Sequence, residues 1–504
     1  MKSLKTALLL VCLALLAQAH VGSPDIYLDG QAGPYKLFVT IRPPAVIPGI
    51  AELEIRAQSA GVREIRAVPV PLMPEGAKFA PVPDKLKVST SDPQFFTGSL
   101  WIMAPGSWQV RLTAEGQNGA GVLSVPLPSA ALTTKPMQSG LGAALTFMMI
   151  LLAGGLVLIA GASAREAKLP GGMKPNTEQL QHARTAMAVA LVVVVGTLGL
   201  GRWWWSSSEA HYRENVYKPL GMTAVLNKDR VLTLTMTDSG WLKPKDERSL
   251  RLRPAFSVRT VDDLIPDHDH LMHMYAIRQA GLDVVYHLHP NMTGSGVFQL
   301  SLPQMEPGTY QLYADVVHAN GFPETMTATI QIPDGFKGRP LSGDDANGKA
   351  APWQQASASE TAFTLPDGYK MEWLRPDKPL QAKQATPFRF RLLDAKGRPA
   401  QDVQFYMGML GHAAFVKTDG TAFAHIHPNG SVAMASFMLA QNQLGENSST
   451  DMPGMDHSMH AGSEALPNEV TFPYGFPSPG RYRIFVQMKH GGTVETGIFD
   501  ANVK

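Results

Sequence analysis

Short runs in which apolar and polar residues alternate recur along most of the chain, and two long apolar runs interrupt them. Tyr35-Lys36-Leu37-Phe38-Val39-Thr40-Ile41 alternates ahead of Pro43-Pro44. Ala51-Glu52-Leu53-Glu54-Ile55-Arg56 and Trp108-Gln109-Val110-Arg111-Leu112 do the same. A period of two marks strands with one buried face, and Pro and Gly clusters at short intervals between them predict β-sandwiches. Residues 231–236 and 249–253 continue the pattern, and Phe388-Arg389-Phe390-Arg391-Leu392 opens a further set. The expected fold class is mainly β: several β-sandwich domains plus a two-helix transmembrane hairpin.

The two interruptions are long enough to cross a bilayer. No charge falls between Lys135 and Arg165, where residues 139–162 are rich in Leu, Ile, Met and Gly. The second run, 185–201, is also uncharged and ends in Trp203-Trp204-Trp205, an aromatic interface anchor. The loop between them carries Arg165, Lys168, Lys174 and Arg184, which places it on the cytoplasmic side. The N-terminus reads as a secretory signal: basic Lys2 and Lys5, an apolar stretch 6–16, and the A-x-A site Ala17-Gln18-Ala19. Both arguments put residues 20–135 and 206–504 on the outer side of a bacterial inner membrane, in the periplasm. The expected organisation is a signal peptide 1–19, a sandwich 20–135, a membrane hairpin 136–205, a second sandwich 206–336, a polar linker 337–362 and a third sandwich 363–504.

Composition narrows the function. Charged residues are only 17% of the 504, and the formal net charge is +2, which removes the electrostatic case for nucleic acid. The one cysteine, Cys12, lies inside the expected signal, so the processed chain has no thiolate to offer a metal or a substrate. No paired general acid and base, nucleophile–base pair or phosphate loop stands out, so an enzyme is not expected.

The two downstream sandwiches read as repeats of one unit. His273-Met274-Tyr275-Ala276-Ile277-Arg278 runs through Gly281 to Tyr286-His287-Leu288-His289-Pro290. His412-Ala413-Ala414-Phe415-Val416-Lys417 runs through Gly420 to Ala424-His425-Ile426-His427-Pro428. Each unit later shows Pro-Gly-x-Tyr, at Pro307-Gly308-Thr309-Tyr310 and Pro479-Gly480-Arg481-Tyr482. Twelve of the fifteen histidines fall between 268 and 490, which directs attention to these hairpins. On a strand, His287 and His289 share a face, as do His425 and His427. A turn at Asp419-Gly420 sets His412 opposite His427, and a three-residue turn around Gly281 sets His273 opposite His289. A two-residue turn there would give His273 the wrong parity. Two trios are therefore expected: His273, His287, His289 and His412, His425, His427.

Imidazole suits copper, zinc, nickel and iron alike; the neighbours lean towards copper, with zinc second. His268, His270, Met272, His273 and Met274 crowd one stretch, and Asp451-Met452-Pro453-Gly454-Met455-Asp456-His457-Ser458-Met459-His460 mixes thioether with imidazole. Thioether is a soft ligand that favours Cu(I). Met455, His457, Met459 and His460 thus join the candidate ligands, with His268 and His270. Cleavage after Ala19 would make His20 the first residue, able to chelate Cu(II) through its amine and imidazole. His318 and His490 read as ordinary sandwich-edge residues, with supplementary ligands as the other reading.

The His-x13-His-x-His-Pro and His-x12-His-x-His-Pro units with their Pro-Gly-x-Tyr strands resemble bacterial YtkA-like and related copper-associated envelope domains. The Met-His stretch is similar to motifs of copper-resistance and copper-export proteins, and a leading His20 resembles periplasmic copper-resistance proteins. The resemblance implies immunoglobulin/cupredoxin-like sandwiches that bind or deliver copper in the periplasm, without catalysis. The chain departs from a cupredoxin electron carrier in lacking the cysteine. The function expected is membrane-anchored copper binding for homeostasis, buffering or delivery, to a copper transporter or an oxidase assembly partner. The alternatives are a structural or assembly subunit of a membrane complex and a copper-dependent oxidoreductase subunit.

Overall fold

A computed structural model describes every residue except 1–19, 22–24, 74–75, 168, 215, 239–258, 342 and 445–464. The expected signal peptide, the strand at 249–253 and the Met-His stretch lie outside the described residues. The chain divides into two compact units, one of residues 1–130 and 218–504, the other of residues 131–217.

The smaller unit is a pair of packed helices, α1 (Ser139–Glu166) and α2 (Thr177–Glu214). Both are long and apolar enough to cross a membrane, as their uncharged runs predict. Trp203, Trp204 and Trp205 are exposed on α2. Gly161 lets the two helices approach, since a Cβ there would meet the Met187 side chain 2.5 Å away.

The larger unit contains three two-sheet sandwiches. The first pairs a five-stranded sheet holding Tyr35–Arg42 and Gly49–Ala57 with a four-stranded sheet holding Gly106–Gly116. Leu37, Val39, Leu53, Ile55, Leu112 and Val125 fill the space between, as the period-two pattern requires. The second and third repeat one topology. In the second, His273–Arg278 lies between Val284–Leu288 and the long strand Gly308–His318, which also pairs with Pro323–Ile332. In the third, His412–Lys417 lies between Ala422–Ile426 and Gly480–His490, which also pairs with Thr493–Val503. The repeat predicted from the spacing of His, Gly and Pro-Gly-x-Tyr is therefore a repeat of topology.

Three features depart from the sequence reading. Residues 337–362 are not a free linker: Ala346–Lys349 pairs with Val284–Leu288 as the sheet's edge strand. The helix α3 (Met434–Asn442) packs Met434 and Phe437 into the core of the first sandwich. It also touches the second, where Asp267 Oδ1 accepts from the Ala435 N–H at 2.7 Å and the Ser436 hydroxyl donates to the Gly321 carbonyl at 2.8 Å.

The third departure governs the site. The His-bearing strands are buried on both faces. One face fills its own sandwich with Met274, Ala276 and Leu288, or with Ala413, Phe415 and Ile426. The other face meets the neighbouring sandwich, where Tyr275, Ile277, Val285 and Tyr313 pack on Ala414, Val416, Phe423 and Phe485. Tyr313 and Phe423 stack with ring centroids 4.1 Å apart. Arg483 ties the seam, donating to the carbonyls of Leu282 at 3.1 Å and Ala351 at 2.8 Å while its other nitrogen holds Asp500 at 2.8 Å. Near-continuous apolar runs such as Ala413-Ala414-Phe415-Val416 are what a strand covered on both sides demands.

Candidate metal centre

The hairpins pair in the expected register. Met274 faces Leu288 and Tyr275 faces His287, so the turn is centred on Gly281 and His273 comes beside His289. Ala413 faces Ile426 and Ala414 faces His425, which brings His412 beside His427. Because both ribbons turn their histidines to the seam, the trios do not stand apart. Together with His268 and His270 they form a continuous group of eight imidazoles.

The group has a near two-fold repeat. His273 and His287 have ring centroids 5.5 Å apart at 39°, and His412 and His425 repeat both values. His287–His289 and His425–His427 are 4.7 Å apart in each ribbon. His273–His289 and His412–His427 stand at 5.0 and 5.1 Å. Across the seam His287 lies 5.4 Å from His425.

Donor atoms close enough to share an ion form two sets, one of His273, His287 and His289, the other of His268, His412 and His427. The first is the expected trio. The second set differs from the expected trio in holding His268, reaching from the second sandwich, with His425 outside it. His268 reaches across because the turn Asp267–His270 closes on itself, with His268 and Asp269 both at positive φ, and presents its ring to the other repeat. His425 remains in ring contact with His412 and His427 and lies 3.3 Å from Asp315 Oδ2 through Nδ1. His270 stacks on His289 at 4.0 Å, with Asp344 3.4 Å away, and its side chain is 27% exposed. It offers the buried group a path to solvent.

Hydrogen bonds fix which nitrogens are free. A carbonyl oxygen can only accept, so His273 Nε2 donates to the Asp267 carbonyl at 2.8 Å and Nδ1 keeps a lone pair. His287 Nδ1 donates to Gln487 Oε1 at 2.9 Å. The same N–H lies 3.2 Å from the Tyr406 hydroxyl, whose own proton goes to the Asp344 carbonyl at 2.7 Å. The remaining atoms, His273 Nδ1 and His287 Nε2, face each other at 3.3 Å. With both rings neutral, two lone pairs meet there and no hydrogen bond forms. Two nitrogens bound at about 2.0–2.1 Å to one ion with tetrahedral angles would also stand about 3.3 Å apart.

The six ribbon imidazoles are held neutral by burial. Desolvation, then the neighbouring imidazoles, holds His273, His412 and His425 well below the usual histidine range; desolvation leads at His287 too, and burial takes His427 down to about 4. His289 is lowered by the same cause. Orphaned nitrogens are concentrated here: His268 Nε2, both of His289, both of His412, His425 Nε2 and His427 Nε2 have no hydrogen-bond partner. Buried polar atoms are rarely left so. Unpartnered and convergent, they are a donor set suited to a divalent or soft monovalent ion.

The remaining sequence candidates fall elsewhere. Met272 and Met274 are not beside the imidazoles; both are in the core of the second sandwich, on the opposite face from His273. His20 is on a two-residue strand paired in parallel with Ala422–Ile426, its main chain opposite Ala422. Met455, His457, Met459 and His460 lie outside the described residues. His318 and His490 are buried and not at an edge: His318 bridges Asp263 at 2.7 Å and Glu324 at 3.1 Å, and His490 lies 3.3 Å from Asp367 and 3.5 Å from Asp402.

Sequence reasoning missed the residues that orient the rings. Asp315 and Gln487 occupy the same place in the two long strands, each five residues after the Tyr of Pro-Gly-x-Tyr, and each serves the other sandwich's histidine. A polar residue in an otherwise apolar strand, repeated at one offset, was the available signal. Tyr275, stacked on His287 at 4.1 Å, gave no signal, and neither did Tyr406 or Asp345, 3.4 Å from His289.

Residues 227–334 and 362–504, which fall on the second and third sandwiches, match the profile of a family described as Domain of unknown function (DUF8832). No curated protein matches the sequence. Among solved structures the chain is similar to a tetra-tandem repeat in the extending region of a large adhesion protein, at 9% identity over 91% of this chain and 71% of that one, TM-score 0.15. It is also similar to MtrC from Shewanella baltica, at 10% identity over 60% and 71%, TM-score 0.14. A third similarity is to the ICAM-5 D1–D4 ectodomain fragment, at 7% identity over 93% and 77%, TM-score 0.15. At these TM-scores the likenesses bear on neither fold nor function.

Proposed function

We propose that the chain is a membrane-anchored bacterial envelope protein that binds copper between its second and third sandwiches and buffers or delivers it without turnover. One observation carries the reading: His273 Nδ1 and His287 Nε2 turn lone pairs to each other at 3.3 Å while their outer N–H groups are committed to Asp267, Gln487 and Tyr406. Fixing the far nitrogen of a ligating imidazole is the usual arrangement around a bound ion. An apolar seam would otherwise reject so many imidazoles with unmet hydrogen bonds. Asp315, Asp344 and Asp345, all within 3.4 Å of an imidazole nitrogen, would offset the charge of a cation.

Copper is favoured over zinc by the Met455, His457, Met459 and His460 stretch, whose thioethers suit Cu(I) and whose position between α3 and Glu469 makes it a means of capture or hand-over. The two apolar helices, with Arg165, Lys168, Lys174 and Arg184 in and around their connection and tryptophans at the far end of the second, support an inner-membrane anchor with the sandwiches in the periplasm. A copper transporter or an oxidase assembly partner would be the recipient. Burial supports binding over catalysis, since most of the donors are buried and face one another.

Elemental analysis of protein purified from membranes without added metal tests this. Copper is expected, and the combined His287→Ala, His289→Ala, His425→Ala, His427→Ala variant should lose it. Equal metal in the two proteins, or none in the wild type after copper loading, would sink the reading.

A further inference from the structure

The two halves of the imidazole group are alike in every ring contact within a ribbon, yet only one half receives a ligand from across the seam among the histidines. The missing counterpart can be located. The turn that carries His268 runs Asp267-His268-Asp269-His270, with backbone hydrogen bonds between Asp267 and His270 in both directions. In the third sandwich Tyr406-Met407-Gly408-Met409 makes the same reciprocal pair, between Tyr406 and Met409. The central residues match: His268 and Asp269 have φ of 48° and 66°, Met407 and Gly408 of 50° and 75°. His268 stands five residues before His273, and Met407 five residues before His412. His268 and Met407 are both half-buried, and the residues after them, Asp269 and Gly408, are both exposed.

Positive φ is uncommon for an apolar residue such as Met and strains the backbone, so its retention asks for a reason. On the second-sandwich side the reason is visible. That backbone delivers the His268 ring to within 5.1 Å of His412 and 5.0 Å of His427. The near two-fold correspondence of the two ribbons matches His268 with Met407 and the His412–His427 pair with His273 and His289.

We propose that Met407 is the fourth ligand of the first site, giving one thioether and the three nitrogens of His273, His287 and His289. The second site then holds the three nitrogens of His412, His427 and His268. Each ion takes donors from one ribbon and one from the opposite sandwich's turn, and the two sites differ in softness. The sulfur-bearing site prefers Cu(I), while the all-imidazole site accepts Cu(II) or Zn as readily. The proposal rests on the metal-binding reading above and goes beyond it in assigning a residue and a difference between sites.

The test compares full-length wild type with Met407→Leu and Met407→His, loaded with Cu(I), by X-ray absorption spectroscopy and competition with a Cu(I) chelator. Leucine keeps the volume and removes the sulfur. The expected result is a sulfur scatterer in the wild type that weakens in Met407→Leu, with Cu(I) affinity at one site lower on the order of tenfold or more. Zinc stoichiometry should be unchanged, which also shows that the variant is folded. Met407→His should recover tight binding without the sulfur signal. A sulfur signal and Cu(I) affinity equal in wild type and Met407→Leu would overturn the proposal, the sulfur then coming from elsewhere, such as Met455 or Met459. Wild type that binds neither Cu(I) nor zinc would overturn the metal-binding reading itself.

Discussion

The imidazole of His268 lies against that of His427 with ring centroids 5.0 Å apart, although the two belong to different sandwiches. A turn of one repeat thereby closes the donor set of the other. An ion held there would tie the two sandwiches together, and binding energy would appear as stability of their seam.

Copper should therefore raise the thermal midpoint of the larger unit, and His268→Ala should lose much of that rise while leaving the metal-free midpoint nearly unaltered. At a free ion concentration a hundredfold above Kd the stabilisation is about 2.7 kcal/mol per site. Differential scanning calorimetry with copper and with a chelator measures both. A copper-induced shift equal in His268→Ala and wild type would show that the ion does not bridge the seam.

Gln487 acts through His287. Its Oε1 accepts from Nδ1 at 2.9 Å and keeps Nε2 turned to His273. Gln487→Leu should lower copper affinity at the first site about 10- to 100-fold with little change in stoichiometry. Tyr406→Phe should do less, because its contact with the same N–H is the longer one at 3.2 Å. Chelator competition reads both; affinity unmoved in Gln487→Leu would contradict the role.

His318 gives a pH dependence unconnected with metal. Burial lowers its affinity for a proton, but hydrogen bonds to Asp263 and Glu324 outweigh that and raise it above the usual value. A raised folded value means stability that is fully present below about pH 6.5 and is lost as pH rises through the folded value. Glu324 is opposed by burial but lowered by His318 and Arg259, so its share is present above its ordinary range and lost on acidification through the folded value. Chemical denaturation from pH 5 to 9 should show falling stability on the alkaline side, and His318→Gln should flatten that limb. A limb equally steep in the variant would place its origin elsewhere.

Much of the fold was legible. Period-two runs such as 51–56 gave strands, and uncharged runs 139–162 and 185–201 gave the two apolar helices, because a single buried face or a membrane leaves its period in the sequence. The His and Pro-Gly-x-Tyr spacings gave the repeat and, through Asp419-Gly420, the register of the second hairpin; at Gly281 the structure chose the three-residue turn over the two-residue one. The strand Ala346–Lys349 was not legible. Its Ser, Gly and Asp surroundings look like a linker, and an edge strand is held by backbone hydrogen bonds that any side chain permits.

By itself, then, the sequence determined that His287 and His289, His425 and His427, and through the Asp419-Gly420 turn His412, align on one side of their ribbons, because strand parity is a local property; the side taken by His273 waited on the turn at Gly281. Only the tertiary structure decided that the two aligned sides are pressed together, that His268 crosses to His412 and His427, and that Asp315 and Gln487 orient rings of the opposite repeat. Those relations join residues distant in the chain through the packing of Tyr275, Tyr313, Phe423 and Phe485 at one seam. Face-to-face packing follows total buried area and shape, which leave no period along the chain.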